Sequence, residues 1–234
     1  MASMRLTDRS LLTILQLTDS AFPTGAFAHS FGLETYVARR IVCSAATLQA
    51  FIANTLLHAV APSEGVACVA VAQAGEDWEE RVQGLDRRLT AMKAVPESRE
   101  ASRTLATRFL RTATSLLALP RAGGYLTGID AKALYGHIGL AYGLVCRDLA
   151  LPIEPALVGW FRHYCASLVS VGVRLIPLGQ TAGQVLLVRL GTAVLDAVDL
   201  ALSRDPDELA SFAPGQELAG IMHRDVLTTR LYVS

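Results

Sequence analysis

The sequence predicts an all-α protein, a packed bundle of roughly ten helices. Apolar residues recur with a helical period along most of the chain. Strand signals are few, because the Val-rich stretches at 66–71, 169–173 and 185–188 lie inside longer Ala-rich helical patterns. No Ser/Gly linker or long charge run divides the 234 residues, so we expect a single domain over 1–234.

The first half of the chain contains three separable helical patterns. Apolar residues at positions i, i+3, i+4, i+7 and i+8 predict a helix over 44–60, and we expect Pro62 to end it. An Ala/Val-rich segment follows to Ala74. The acidic run that begins at Asp77 suits a helix start, and that helix is expected to reach about Ala94.

The second half continues the same pattern. Helices are predicted from Pro96 to Leu117, from Leu134 to Val145, and from the Pro152 region to about Val173. Residues 120–128 are predicted to form a loop, because two adjacent glycines lie at its centre. Residues 179–203 are predicted to form one long helix.

Charge and hydropathy narrow the class of protein. Lys plus Arg and Asp plus Glu both number 21, so bulk charge gives no argument for binding nucleic acid or an anionic membrane. The apolar content of 52% and the mean hydropathy of +0.37 are high for a soluble monomer, which suggests that some apolar surface meets partners.

One stretch is long enough to test as a membrane span. Residues 41–63 contain Gln49, Asn54 and His58, and their apolar positions follow a helical period, so a buried helix of a soluble protein is the better interpretation. Residues 1–5 lead into an amphipathic stretch without an apolar signal core. We therefore expect a cytoplasmic protein.

Residues 20–37 form the most unusual segment of the chain. Pro23-Thr24-Gly25 suits a tight turn, and Ala28-His29-Ser30 suits a helix start. A hydrolase would use Ser30 as nucleophile beside His29 and Glu34, but 28–32 reads Ala-His-Ser-Phe-Gly instead of Gly-x-Ser-x-Gly, with no flanking strand. We favour a capped helix start in which Ser30 and Glu34 bind backbone or neighbouring helices.

A second unusual segment, 176–184, reads Ile-Pro-Leu-Gly-Gln-Thr-Ala-Gly-Gln. It lacks the Gly-Lys-Ser/Thr ending of a nucleotide-binding phosphate loop. Gly179 and Gly183 lie four residues apart and would let another helix approach closely, while Gln180 and Gln184 would bridge buried backbone groups. We favour helix packing over a polar lining at a subunit surface.

Metal-ligand patterns are weak. Neither a Cys-x-x-Cys motif nor a His or Cys pair at helical spacing occurs, so the sequence does not predict a metal site. The cysteines are expected to be free thiols. The histidines are His29, His58, His137, His163 and His223, and the cysteines are Cys43, Cys68, Cys146 and Cys165. His223 is the best candidate for a transient contact with a metal ion, because it lies beside Met222 and close to Asp225.

The chain ends with a third unusual segment, 221–234. It mixes arginine and aromatic residues with apolar ones, a composition that suits protein interfaces. We expect 221–234 to be a partner-docking tail. The residues expected to bind are His223, Arg224, Arg230, Leu231 and Tyr232.

Together, in this order, the three segments resemble the UreF family of urease accessory proteins. The family pattern reads Gly-x-Phe-x-x-Ser-x-Gly-Leu-Glu, then Pro-Leu-Gly-Gln-x-x-Gly, then Met-Arg-His-Glu and Ser-Arg-Leu-Phe. The matching positions, given structural or interface roles by the resemblance, are Gly25, Ser30, Gly32, Leu33, Glu34, Pro177, Gly179, Gln180 and Gly183. Arg230 also matches, whereas His223 and Arg224 stand in exchanged order and Tyr232 replaces the Phe.

The resemblance implies a non-catalytic assembly factor that forms a homodimer, binds UreD (also called UreH) and recruits the GTPase UreG. The complex would deliver nickel to the urease apoenzyme, so nickel is cargo and no cofactor is bound stably. The resemblance also implies that the tail orders on binding UreD. Two alternatives stay open at this point, a helical scaffold for unrelated partners and a small helical hydrolase that uses Ser30, His29 and Glu34.

Overall fold

A computed structural model describes residues 6–25, 29–213, 215 and 231–232. Over these residues the chain is all-α and carries no strand, which confirms the predicted fold class. In chain order the helices are α1 (Asp8–Leu17), α2 (Leu33–Ala38), α3 (Ala45–Thr55), a π-helical segment (Leu56–Gly65), α4 (Val66–Ala72), α5 (Trp78–Met92), α6 (Pro96–Leu116), α7 (Pro120–Asp130), α8 (Ile138–Asp148), α9 (Ile153–Leu175), α10 (Gln180–Arg189), α11 (Gly191–Ser203) and a 3₁₀ turn (Pro206–Glu208).

The buried apolar side chains form one continuous cluster to which nearly every helix contributes. Helix α8 packs against α4 most closely, because Gly143 places no side chain between the two backbones, while Gly139 faces the backbone of Glu64 in the π-helical segment. A Cβ at Gly143 would meet the carbonyl oxygen of Cys68 and lie 2.6 Å from a methyl group of Val71. Gly143 therefore sets the distance between these two helices.

The predicted helix end at Pro62 is wrong. The helix that begins at Ala45 continues without interruption to Ala72, and Pro62 lies inside the π-helical segment. Proline cannot donate a hydrogen bond to the carbonyl of His58, four residues earlier. That carbonyl instead accepts the backbone N–H of Phe212 at 2.8 Å, so a distant part of the chain satisfies the acceptor that Pro62 leaves open.

The continuous helix Ala45–Ala72 is the one helix of the described chain that is long and apolar enough to cross a membrane. Its most apolar window is 72% buried inside the protein. Neighbouring helices therefore cover this window, as expected for the core helix that the sequence predicted.

Residues 120–128 were predicted as a loop and instead form most of α7, which is a correction. Pro120 occupies the first turn, where its missing N–H costs nothing. The Asp148 carboxylate, from the end of α8, accepts the N–H groups of Arg121 and Ala122 at 3.0 Å each. The adjacent glycines are tolerated because a side chain distant in sequence caps the helix.

The long helix predicted over 179–203 is divided in the structure. Helix α10 ends at Arg189 and α11 begins at Gly191, so Leu190 forms the joint. Leu190 is 1% exposed, and the helices on either side pack differently. Helix α10 contacts α9 and α3, whereas α11 contacts the π-helical segment and α9. Burying the Leu190 side chain fixes the turn between them.

Candidate functional site

A cavity of about 190 Å³, partly open to the surface, lies among the helices. Its walls come from the end of α1, the first sequence motif, the π-helical segment, the α5–α6 junction, α8 and α9. Most of the wall is apolar, but Glu64, Lys93 and Ser102 line one part and His163 another. Ser167 of α9 also lines it, and its buried hydroxyl has no hydrogen-bond partner among the residues described.

Glu64 is the centre of the polar part of this wall. Its carboxylate lies 3.0 Å from the Lys93 ammonium and accepts hydrogen bonds from Ser102 Oγ at 2.9 Å and the Gly139 N–H at 2.8 Å. Burial acts to raise the pKa of Glu64, but the ion pair with Lys93 and the contact with His137 outweigh it and hold the pKa well below its usual range. Glu64 is thus a buried, fully compensated anion.

His137 continues the network away from the cavity. Its Nε2 lies 2.9 Å from Thr90 Oγ1, and its Nδ1 lies 3.3 Å from Ser102 Oγ. The single hydroxyl hydrogen of Ser102 is donated to Glu64, so Ser102 can only accept from the ring.

A second buried carboxylate, Asp86, holds the loop before α8. It accepts the Tyr125 hydroxyl at 2.7 Å and the backbone N–H groups of Tyr135 and Gly136 at 2.8 and 3.0 Å. The Tyr125 oxygen in turn accepts the N–H of His137 at 2.9 Å. Burial, with the charge of Asp86 adding to it, raises the pKa of Tyr125, which stays a phenol.

Both carboxylates are engaged by several protein donors. The described residues contain no group of three or more His, Cys, Asp or Glu side chains that could hold a metal ion. The network joins α5, α6 and the loop before α8 to the π-helical segment beside the cavity. Sequence reasoning missed this role, although Glu64 is the one charged residue between Ile41 and Gly75, and such isolation was a usable signal.

The first motif turns tightly beside the cavity. Gly25 and Gly32 have positive φ values of 76° and 82°, and Phe31, a bulky residue, has φ 49°. Helix α2 begins at Leu33, with Gly32 at its N-cap and no side-chain cap. Ala28, where the sequence predicted a helix start, lies outside the described residues. Phe31 and Gly32 line the cavity, while Ser30 is fully buried.

Such a left-handed conformation at Phe31 carries a conformational cost that the surrounding packing must offset. The Phe31 ring lies 5.9 Å from the ring of His29 and 5.9 Å from that of Tyr164. Burial, with a smaller contribution from the charge of Arg108, lowers the pKa of His29. The turn is therefore held by aromatic contacts on the side that faces α9.

Glu34, at the end of the first motif, binds the end of the chain. Its carboxylate accepts the backbone N–H of Leu231 at 2.9 Å and that of Tyr232 at 3.3 Å. The expectation that Glu34 binds backbone is confirmed, and the contact brings the first and third motifs together. Tyr232 is 6% exposed whereas Leu231 is 71% exposed, so the tyrosine anchors this contact and the leucine faces outward.

The other predicted tail residues, His223, Arg224 and Arg230, lie outside the described residues. Among the predicted histidine candidates, His29, His58, His137 and His163 belong to different parts of the fold, and no metal-binding group joins them. Of the cysteines, Cys43 is exposed, and Cys68, Cys146 and Cys165 are buried free thiols. Burial raises the pKa of Cys68, which keeps it protonated.

The second motif is partly buried and partly exposed. Gly183 is buried, and a Cβ there would lie 3.1 Å from a methyl of Val173 on α9, which confirms close packing at this position. Gly179 faces open space, so close packing there is a wrong prediction. Gln180 and Gln184 are both exposed, so their expected bridging of buried groups is also wrong. Pro177 is exposed as well.

Comparison with known proteins agrees with the motifs. The sequence profile of the UreF family matches residues 42–191. A protein named Urease accessory protein UreF from Lachnoclostridium phytofermentans is 35% identical over 97% of this chain and 100% of its own length.

Proteins of the same name from Bacillus sp. (strain TB-90) and Haemophilus influenzae (strain PittEE) are 31% and 32% identical. The first match covers 96% of this chain and 99% of the relative, and the second covers 98% and 97%. The matched regions thus span nearly the whole chain. The chain belongs to the UreF family of urease accessory proteins.

Proposed function

We propose that this chain is a non-catalytic assembly factor that bridges UreD (UreH) and the GTPase UreG while nickel is inserted into the urease apoenzyme. The observation that carries the proposal is the family membership, which extends over nearly the whole chain. Nickel is the cargo of the complex, and no cofactor stays bound to this chain. We also propose that the protein is cytoplasmic and that it forms one domain over 1–234.

The chemistry of the described residues supports a role without catalysis. The carboxylates of Glu64 and Asp86 are each taken up by three or more protein donors, and Glu34 is engaged by two backbone amides. In the described chain the Glu34 carboxylate binds the backbone N–H groups of Leu231 and Tyr232, whereas a hydrolase would use it to orient a base. Binding to other proteins fits the arrangement better.

We propose that the tail, 221–234, contacts UreD through His223, Arg224, Arg230, Leu231 and Tyr232. The exposed Leu231 and the anchored Tyr232 support this, because a partly fixed tail loses less conformational entropy on binding. Apolar side chains that contact UreD must be accessible, and Leu231 is.

The exposed part of the second motif is a further candidate contact, for UreG. Pro177, Gly179 and Gln180 face solvent and contribute nothing visible to packing, whereas Gly183 beneath them fixes α10 on α9. A homodimer is supported by exposed large apolar side chains. They include Leu11, Leu12 and Leu15 on α1, Val185 and Val188 on α10, and Leu195 on α11.

Co-expression with UreD and UreG, followed by size-exclusion chromatography with light scattering, tests the proposal. The full chain is expected to elute in a defined complex with both partners, and a chain truncated before Ile221 is expected to lose UreD. A full chain that elutes alone beside well-folded partners would overturn the assignment of partners. The mass of the chain measured alone tests the homodimer separately.

A further inference from the structure

Residues 206–213, which we call the C-terminal arm, lie on the outside of the π-helical segment. Arg88 of α5 holds the start of the arm: its guanidinium donates to the carbonyl oxygens of Pro206 at 3.1 Å and Asp207 at 2.6 Å. It also lies 3.2 Å from the Asp207 carboxylate. Arg88 is thus the polar clasp at the beginning of the arm.

Two backbone hydrogen bonds hold the rest of the arm. The N–H of Ala210 donates to the carbonyl of Pro62 at 3.0 Å, and the N–H of Phe212 donates to the carbonyl of His58 at 2.8 Å. The second acceptor is the carbonyl to which residue 62 would donate in a regular α-helix, and proline has no N–H to do so. The irregular helix therefore presents acceptors on the side where the arm lies.

The arm also forms part of the cavity wall, because Ser211 and Ala213 line it together with Ser63 and Glu64. Yet the arm buries little apolar surface. Leu209 is partly buried against the core, whereas the Phe212 side chain is 76% exposed. A segment with few buried apolar contacts opens at a low free-energy cost, compared with core helices such as α9.

We propose that the C-terminal arm is a detachable cover of the internal cavity, released by local opening while the helical core stays folded. On release, the carbonyls of His58 and Pro62 exchange their backbone donors from the arm for water. The wall formed by Ser211 and Ala213 then opens. The proposal that the arm is a cover is argued from contacts within this chain alone. Only the identity of the partner that drives its release rests on the proposed function.

Ser167 offers a reporter inside the cavity. Its hydroxyl is buried, lines the cavity and has no partner in the described chain, so Ser167→Cys breaks no hydrogen bond that the structure contains. Cys43, the exposed native cysteine, is removed by Cys43→Ala, and the buried native thiols report the background rate. The measured quantity is the rate at which a small methanethiosulfonate reagent labels the introduced thiol, followed by peptide mass spectrometry.

Arg88→Ala removes the clasp, and Arg81→Ala is the matched control. Arg81 lies on the same helix and pairs with Asp77 at 3.1 Å, away from the arm. We expect Arg88→Ala to accelerate labelling of the Ser167→Cys thiol roughly five- to thirty-fold. This is the effect expected from losing the charge-assisted hydrogen bonds of a partly exposed arginine. Arg81→Ala is expected to leave the rate within about two-fold. Equal labelling rates in Arg88→Ala and Arg81→Ala would overturn the proposal.

A second measurement needs no variant. Hydrogen exchange of the wild-type chain is expected to show the amides of Ala210 and Phe212 exchanging at least about a hundred-fold faster than core amides of α9. Equal protection of the arm and α9 would show that the arm opens only with global unfolding, and the proposal would be wrong. Both measurements use the isolated chain, so absence of a complex with UreD or UreG leaves their outcome unaffected.

Discussion

At the scale of single residues, Glu64 shows how an apolar helix accommodates a charge. The helix that carries Glu64 was predictable, and the sequence shows that Glu64 is isolated in an otherwise uncharged stretch. Its partners were not predictable, because Lys93, Ser102 and Gly139 come from three different elements. Periodicity identifies which face is buried, but it does not identify the donors that compensate a buried anion.

Removing the charge of Glu64 should destabilise the fold. Glu64→Gln keeps an acceptor for Gly139 but leaves the Lys93 ammonium, 19% exposed, without its counter-charge. We expect a loss of about 2–4 kcal/mol in the free energy of unfolding, measured by chemical denaturation. Glu100→Gln, which removes an exposed partner of Arg103, should cost less than about 0.5 kcal/mol. Equal stability of both variants would show that Lys93 does not depend on Glu64.

The lowered pKa of Glu64 predicts a pH dependence with a definite sign. A carboxyl whose pKa is lower in the folded chain than its ordinary value of 4.5 adds stability above that value and loses it as pH falls toward the folded pKa. Between about pH 6 and about pH 3, the free energy of unfolding should therefore fall more steeply for the wild type than for Glu64→Gln. Parallel pH profiles would contradict the assignment of this titration to Glu64.

At the scale of elements, helix existence was predictable and several boundaries were not. The sequence rules expected a break at Pro62 and a loop at 120–128, and both segments are helical. In each case the missing information was a hydrogen bond from a distant residue, Phe212 in the first and Asp148 in the second. Local propensity is a weak prior where a distant group satisfies the helix end.

The cap on α7 can be tested directly. The Asp148 side chain is fully buried, accepts two backbone N–H groups and pairs with the Arg121 guanidinium at 3.1 Å. Asp148→Ala should cost about 2–3 kcal/mol, because the first turn of α7 loses its acceptors. Asp148→Asn retains one acceptor oxygen and should cost less. Thermal unfolding measures the ranking, and an Asp148→Ala variant as stable as Asp148→Asn would argue against capping.

The close approach of α8 and α4 gives a matched pair of glycine substitutions. Gly143→Ala would push a methyl group into the backbone of α4 and should destabilise by about 1–3 kcal/mol. Gly84→Ala on α5 meets nothing within 4 Å, so it should be neutral or stabilise by up to about 1 kcal/mol, as alanine favours helices. Denaturation midpoints measure both. A neutral Gly143→Ala would show that the two helices separate at low cost.

At the scale of the whole molecule, fold class and family were readable from the sequence, but the cavity was not. Its wall is assembled from many elements, and the motifs that identify the family contribute unequally to it. Phe31 and Gly32 of the first motif line the cavity, whereas Gly183 of the second motif packs α10 on α9. Motif residues show which family a chain belongs to, and the packing then decides what each one does.

The contact between Glu34 and the end of the chain is the last feature that can be tested at this scale. Glu34→Ala removes both acceptors for the N–H groups of Leu231 and Tyr232, so the end of the chain loses its anchor in the unbound protein. If the tail binds UreD in its anchored form, ordering it again on binding costs affinity. We expect Glu34→Ala to weaken UreD binding about ten-fold in a calorimetric titration, with Glu34→Gln intermediate.

The direction of that change decides between two ways of using the tail. Weaker binding means that Glu34 holds Tyr232 in the conformation UreD recognises, and that the exposed Leu231 contributes the contact. Tighter binding would mean that the tail must leave Glu34 before it reaches UreD, so that the contact competes with assembly. Thermal unfolding of the variant provides the control, because a globally destabilised chain would lose affinity without any change at the tail.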